Sequence, residues 1–158
     1  MNPPCAVMLR PARAHEARAM AEMSRALIEA GLAWRYTPRR IAALIADPDT
    51  VALVAHDGTH IQGFAVMQFG DERAHLALLC VQPALQLHGI GRKLIEWLVE
   101  SARVAGIASI QLELRADNAA GLAFYRRLGF GETQVVAGYY EGSIPARRMS
   151  LLLGEAQA

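Results

Sequence analysis

The chain has 158 residues, 53% of them hydrophobic and 20% charged, and a formal net charge of +1. These proportions describe one globular domain with a sizeable core and exclude a disordered chain. Like charges never run longer than pairs such as Arg39-Arg40, so the clustered cations of a nucleic-acid footprint are missing and no such partner is expected.

The two cysteines, Cys5 and Cys80, set no disulfide framework and no metal-ligand spacing, so no metal is expected. With no secretion signal or membrane span evident, the expected setting is the cytoplasm and the expected partners do not include a membrane. In chain order, Val7–Ala12 reads as a first strand ended by Pro11. From about His15 to Ala30, Ala17, Met20, Ala21, Ser24, Leu27 and Ile28 fall at helical spacing and predict a helix stopped by Gly31. Thr37 and Pro38 predict the cap and first turn of a second helix ending near Asp47-Pro48. Two apolar runs around Asp57-Gly58 predict a hairpin, and the apolar stretch 74–81 predicts a central strand buried on both faces.

After a loop at residues 82–89 comes an amphipathic helix. Its expected inner side is Ile90, Leu94, Trp97, Leu98, Ala102 and Ala105, with Gly106 as its end. Strict alternation over 109–115 points Ile110, Leu112 and Leu114 one way and Gln111, Glu113 and Arg115 the other. A short helix capped by Asp117 or Asn118 runs to Leu128-Gly129. Strands near Gln134–Tyr140 and Arg147–Leu153 close the chain, with a polar turn over Glu141–Arg148. The expected fold class is α/β: one twisted mixed sheet, helices on both faces, in the order β-α-α-β-β-β-α-β-α-β-β.

The loop carries the chemistry. Gln86, Gly89 and Gly91 form Q-x-x-G-x-G at a helix start. A Walker-type loop is excluded, because Gly91 precedes Arg92-Lys93-Leu94 with no magnesium-binding hydroxyl. A dinucleotide fingerprint is excluded too, because its third glycine is Leu94 and Pro83 interrupts the tight turn. What remains is a loop whose main-chain N–H groups hold a diphosphate at a helix N-terminus, needing neither metal nor lysine. The plainer reading is two glycines in a turn.

Val81-Gln82-Pro83 followed by Gln86-Leu87-His88-Gly89-Ile90-Gly91 resembles the acetyl-CoA loop of the GCN5-related N-acetyltransferases. A second stretch, residues 112–130 (LELRADNAAGLAFYRRLGF), resembles that family's next motif, in the right order. The resemblance implies acetyl-CoA as cofactor. It implies that the strand Leu79, Cys80 and Val81 binds the pantetheine arm through its backbone. It further implies that Leu87, His88, Gly89, Ile90, Gly91 and Arg92 hold the diphosphate, with Gln86 in the motif. Asn118 resembles the residue that contacts the pantetheine arm, and Tyr125 the tyrosine beside the thioester sulfur. A homodimer is a common state in that family.

Acetyl transfer needs a neutral amine. At pH 7 a lysine, with pKa about 10.4, costs roughly 4–5 kcal/mol to deprotonate, and an α-amine near 7.8 only about 1. A base is therefore useful. Glu113, on the polar side of its strand, resembles the glutamate base of the ribosomal-protein-alanine branch of the family; the plain reading is a solvent-facing strand residue. His75, His88 or a water chain are alternatives, since histidines titrate near neutrality. Tyr125 is expected to hydrogen-bond the departing sulfur. Cys80 reads as a core thiol rather than an acyl carrier. Trp34, Arg35 and Tyr36, between the first two helices, and Tyr139 with Tyr140 near the last turn are expected to shape acceptor choice. The acceptor is a small-molecule amine or a peptide or protein amine. The rival reading is a non-catalytic acyl-CoA-binding module.

Overall fold

In the computed structural model, which describes residues 7–154, the elements are β1 (Met8–Pro11), α1 (Ala17–Leu27), α2 (Pro38–Ala46), β2 (Thr50–His56), β3 (Ile61–Phe69) and β4 (Arg73–Val81). They are followed by α3 (Ile90–Val104), β5 (Ser109–Arg115), α4 (Ala119–Arg127), β6 (Gly131–Tyr140) and β7 (Ile144–Leu152). Cys5 lies outside the described residues. The order is the expected one. Seven strands form one sheet, β1-β2-β3-β4-β5-β7-β6, antiparallel except where β4 lies beside β5.

Local chemistry sets several boundaries. The Thr37 hydroxyl accepts the Arg40 amide at 3.3 Å and Pro38 opens α2, as anticipated. α1 is shorter than its periodicity suggested: Ala14–Glu16 is a single 3-10 turn and the helix stops at Leu27. The cause is tertiary. The buried Glu16 carboxylate accepts two hydrogen bonds from Arg10, at 2.7 and 2.9 Å, and the Arg13 amide at 2.8 Å, which holds the entering turn apart from the helix. At the other end, the Ser24 carbonyl accepts both the Ile28 and Glu29 amides, and Gly31 turns the chain at φ +81°.

The two faces of the sheet bury separate cores. Under α3 and α4 lie Leu53, Met67, Leu76, Leu94, Leu98, Leu112 and Met149. Under α1 and α2 lie Met20, Ile41, Val54, Phe64, Val66 and Leu78. The inner side of α3 is Ile90, Leu94, Ile95, Leu98 and Ala102; Trp97, expected inside, is 38% exposed. The stripe reaches Ile95 instead, which leaves Trp97 at its opposite edge, and Ala105 lies past the helix end.

β4 departs most from expectation, and its departure creates the site. Met67 pairs with Leu76 and Val66 with Leu78, so Ala77 is an extra residue. Such a bulge reverses the facing of every later side chain. Accordingly Ala74 and Leu76 enter the core under α3, whereas Leu78 and Cys80 enter the core under α1. The intervening residues His75, Ala77 and Leu79 are only half-buried, with Ala77 against the α1–α2 core and Leu79 against the α3 core. β4 and β5 pair only at Arg73–Ser109, Ala74–Ile110 and His75–Gln111. Beyond that point they part, and residues 78–81 are paired on the β3 side alone.

The β6–β7 turn is shorter than the sequence suggested, since Ile144 to Arg148 belong to β7. Pro145 is tolerated there because Val136 pairs with Ala146 and Tyr140 with Ile144, so β6 bulges opposite the proline.

Candidate active site

A cleft of about 510 Å³ opens where β4 and β5 part. Its walls are β4 from His75 to Leu79, β5 from Leu112 to Arg115, the α1–α2 connection and the end of β6 with Glu141; Asn118 and Tyr125 also line it.

The loop after β4 is shaped to present its backbone. Among the described residues, the amide N–H groups of residues 87–92 donate to no acceptor. Gly89 caps α3 with φ +83°, and a side chain there would meet nothing within 4 Å. Its glycine is therefore required by the left-handed backbone rather than by crowding. Gly91 has a different reason: a Cβ would stand 3.2 Å from the Phe124 ring, so this glycine seats α4 against α3. The single account expected for both glycines is thus divided. Gln86 donates from Nε2 to the Val81 carbonyl at 3.3 Å and ties the loop to the strand end. The side chains of Leu87 and His88 are exposed, Ile90 is buried in the core, and Arg92 pairs with Glu96 at 2.8 Å.

At the far side of the gap, the Asn118 Oδ1 accepts the Gly121 amide at 2.9 Å and caps α4. That bond orients the side chain and leaves Nδ2 as its remaining donor. Tyr125, about two turns further along α4, stands edge-on to Phe124 and Phe130, with ring centroids 5.0 and 5.4 Å away. Burial, with the Tyr140 phenol adding to it, holds its hydroxyl well above the usual phenol pKa. Such a group serves as a hydrogen-bond donor rather than as a strong acid. Cys80 points away from the cleft, with Sγ 4.0 Å from the Met23 carbonyl, and burial pushes its thiol up to about 12. It is inert as a nucleophile.

Glu113 is engaged on both oxygens. Oε1 accepts from Arg148 Nε at 3.0 Å, and Oε2 meets His75 Nε2 at 2.6 Å. The bond from His75, more than partial burial opposes it, keeps the carboxyl below its ordinary range, and Arg148 adds to the effect.

The acceptor end is built by side chains that reach across the fold. Glu29, only 6% exposed, accepts the Arg35 and Tyr36 amides on Oε1 at 2.7 and 3.1 Å and the Ser24 hydroxyl on Oε2 at 2.9 Å. It moulds the α1–α2 connection, and nothing in its sequence context singled it out. Across the cleft, Glu141 accepts the Ala33 amide at 2.6 Å, and the Arg115 guanidinium donates to the Ala30 carbonyl. Tyr36 lines the cleft beneath the Arg40 guanidinium, 4.2 Å from its ring centroid. Tyr139 and Tyr140 also line it, edge to face at 4.9 Å, and burial pushes the Tyr140 phenol up to about 12. Trp34, expected with them, does not line the cleft. Its indole donates to the Ala21 carbonyl at 3.3 Å and packs on the α1–α2 core under Arg25, because the Glu29 bonds turn Tyr36 inward instead.

Comparison with known proteins agrees with this architecture. Residues 17–130 match the Acetyltransferase (GNAT) family. The chain is 40% identical over 77 residues to the ribosomal protein bS18-alanine N-acetyltransferase of Escherichia coli, covering 49% of this chain and 52% of that protein. It is 44% identical over 63 residues to the N-alpha-acetyltransferase RimI of Mycobacterium tuberculosis, covering 40% and 38%. The chain thus spans about half the length of the first of these relatives and less of the second by sequence. The crystal structure of the ribosomal-protein-S18-alanine N-acetyltransferase from Escherichia coli superposes with a TM-score of 0.83 at 25% identity, over 96% of this chain and 97% of that one. With the parted β4–β5 pair, the amide-rich turn and a family match over most of its length, the chain belongs to the GCN5-related N-acetyltransferase (GNAT) family.

Proposed function

We propose that the protein is an acetyl-CoA-dependent N-acetyltransferase whose acceptor is a primary amine, with the α-amine of a peptide or protein as the favoured class. One observation carries the reading. The free edge of β4 leads from the unpartnered amides at the start of α3 to a cleft lined by Tyr125, Glu113 and His75. The residues fit the cofactor. Amides 87–92 would take the diphosphate, the backbone of Leu79–Val81 the amides of the pantetheine arm, and Asn118 Nδ2 a carbonyl of that arm. Bound acetyl-CoA supplies a thioester whose C–S bond breaks, its electron pair going to sulfur, as the amine nitrogen forms the new C–N bond and gives up one N–H proton, which ends on that sulfur.

The chain's own groups then have defined tasks. The Tyr125 hydroxyl donates a hydrogen bond where negative charge develops on the leaving group. Tyr36, Tyr139 and Tyr140 give the acceptor a half-buried aromatic wall. The His75–Glu113 pair is the group able to accept a proton from an incoming ammonium. An α-amine favours this site because its deprotonation costs only about 1 kcal/mol at neutral pH, and relatives named alanine N-acetyltransferase and N-alpha-acetyltransferase agree with that choice. A compact free amine is the second reading, favoured by the Glu141–Ala33 bond that closes the roof of the cleft.

No helix among the described residues is long and apolar enough to cross a membrane. A cytoplasmic setting fits the reading, and sedimentation would reveal a homodimer. The deciding experiment measures CoA release from acetyl-CoA with alanine-started peptides, other peptides and small amines. Release stimulated by a peptide α-amine is the expected result. CoA binding without release by any amine would leave a cofactor-binding module instead.

A further inference from the structure

Glu113 is the carboxylate that its strand pattern offers as a base, yet neither of its oxygens is free. Arg148, from β7, holds one oxygen, and His75, from β4, holds the other. A carboxylate with two such partners is stabilised in its charged form and is a poor proton acceptor. His75 is placed differently. It stands at the last β4–β5 pair, where the strands part, and its ring lines the cleft with 40% of its side chain exposed. An ionised carboxylate only accepts hydrogen bonds, so Nε2 must carry the hydrogen it shares with Glu113. Nδ1 then bears the lone pair, and it has no hydrogen-bond partner among the described residues.

Of the other charged groups lining the cleft, Glu29 and Glu141 accept backbone amides, Arg40 lies over Tyr36, Arg115 donates to the Ala30 carbonyl, and Arg35, a guanidinium, offers no lone pair. On β4, Arg73 is turned to Gln111 at 3.0 Å. From β7, Arg148 binds Glu113 and Gln134. Tyr36, Tyr139 and Tyr140 face the same cleft as neutral phenols. Among them, His75 alone combines a free lone pair with a bound anion behind it.

We propose that His75 takes the proton from the acceptor amine at Nδ1, while Glu113, fixed by Arg148, is a positioning residue that sets the tautomer and faces the imidazolium. The inference rests on the acetyl-transfer reading and deepens it. One N–H bond of the ammonium breaks, its electron pair stays on the nitrogen, and the proton bonds to Nδ1. The resulting positive charge faces the Glu113 carboxylate, and Arg148 keeps that carboxylate from taking the proton itself.

The test compares the wild type with H75Q, which keeps a donor toward Glu113 but lacks the second nitrogen, and with E113Q. H75N replaces H75Q if that variant does not fold, and CoA affinity by calorimetry verifies folding in each. The readouts are kcat/KM against pH with one alanine-started peptide, and long-range 15N–1H spectra of the histidines in the cofactor-free wild type. H75Q should lose at least about 100-fold in kcat and its acid limb, with CoA affinity unchanged. E113Q should be slowed about tenfold yet keep the acid limb, and neutral His75 should carry its proton on Nε2. An acid limb lost in E113Q and kept in H75Q, a limb kept by both, or a proton on Nδ1 would overturn the assignment. A wild type that releases no CoA with any amine would instead sink the transfer reading, and this one with it.

Discussion

The two ends of the cleft are built by different means. At the cofactor end the working groups are backbone: amides 87–92, a strand edge freed by a bulge, and a capped helix start. At the acceptor end they are side chains spaced far apart in sequence, with Glu29 moulding a loop, Glu141 tying that loop to the β6–β7 turn and Arg115 reaching Ala30. The first end depends on what a short stretch of chain can do by itself. The second depends on the sheet bringing α1, β5 and β7 together. Substitutions at the first should therefore strike cofactor affinity, and substitutions at the second should strike acceptor use.

The largest expected effect is on the backbone end. Gly89→Asp forces a side chain into the left-handed region and sets a negative charge where a diphosphate is expected. CoA affinity should fall roughly 300-fold by calorimetry, combining backbone strain with a repelled anion. Affinity unchanged by Gly89→Asp would show that nothing rests on the loop. Tyr125→Phe removes one donor between the two ends. It should lower kcat about 100-fold while CoA affinity stays within about twofold. An equal loss in both would assign the hydroxyl to binding.

Smaller effects separate the ends further. Glu29→Ala leaves the part-buried Arg35 and Tyr36 amides without their acceptor, so the KM for the acceptor should rise about tenfold and stability fall by about 2 kcal/mol, with CoA affinity intact. Titration should reveal the carboxylates that brace the acceptor half. The Arg10 bond above all, set against burial, depresses Glu16, and Glu113 is also depressed. Because their folded pKa values lie below the unfolded ones, their stabilisation is complete above the ordinary carboxylate pKa of about 4.3. It is lost as pH falls through the folded values, so Tm should be flat near neutrality and drop below about pH 4. Glu16→Gln should lower the plateau and flatten that drop. Smallest is Glu141→Ala, which releases the exposed Ala33 amide: a change of about threefold in acceptor KM, read against an unaltered CoA affinity.

The legibility of the chain follows the same division. The strand and helix order, the cap at Thr37, a second cap narrowed to Asp117 or Asn118, and the alternation of Ile110–Leu112–Leu114 were all readable, because each is set by neighbours in sequence. The loop around Gly89 was readable for the same reason. Trp34 was misplaced because only the Glu29 bonds decide which of two nearby aromatics turns into the cleft. The second reason for glycine, at Gly91, needed the Phe124 ring of α4 to come into view.

By itself, then, the order of residues determined the periodicities, the turns and a helix start with bare amides, since these are local consequences of side-chain size and backbone freedom. The tertiary structure alone decided where β4 bulges, that both oxygens of Glu113 are taken and that His75 faces the gap. Those outcomes hang on contacts between residues 75, 113 and 148, which no local rule connects until three strands share a sheet.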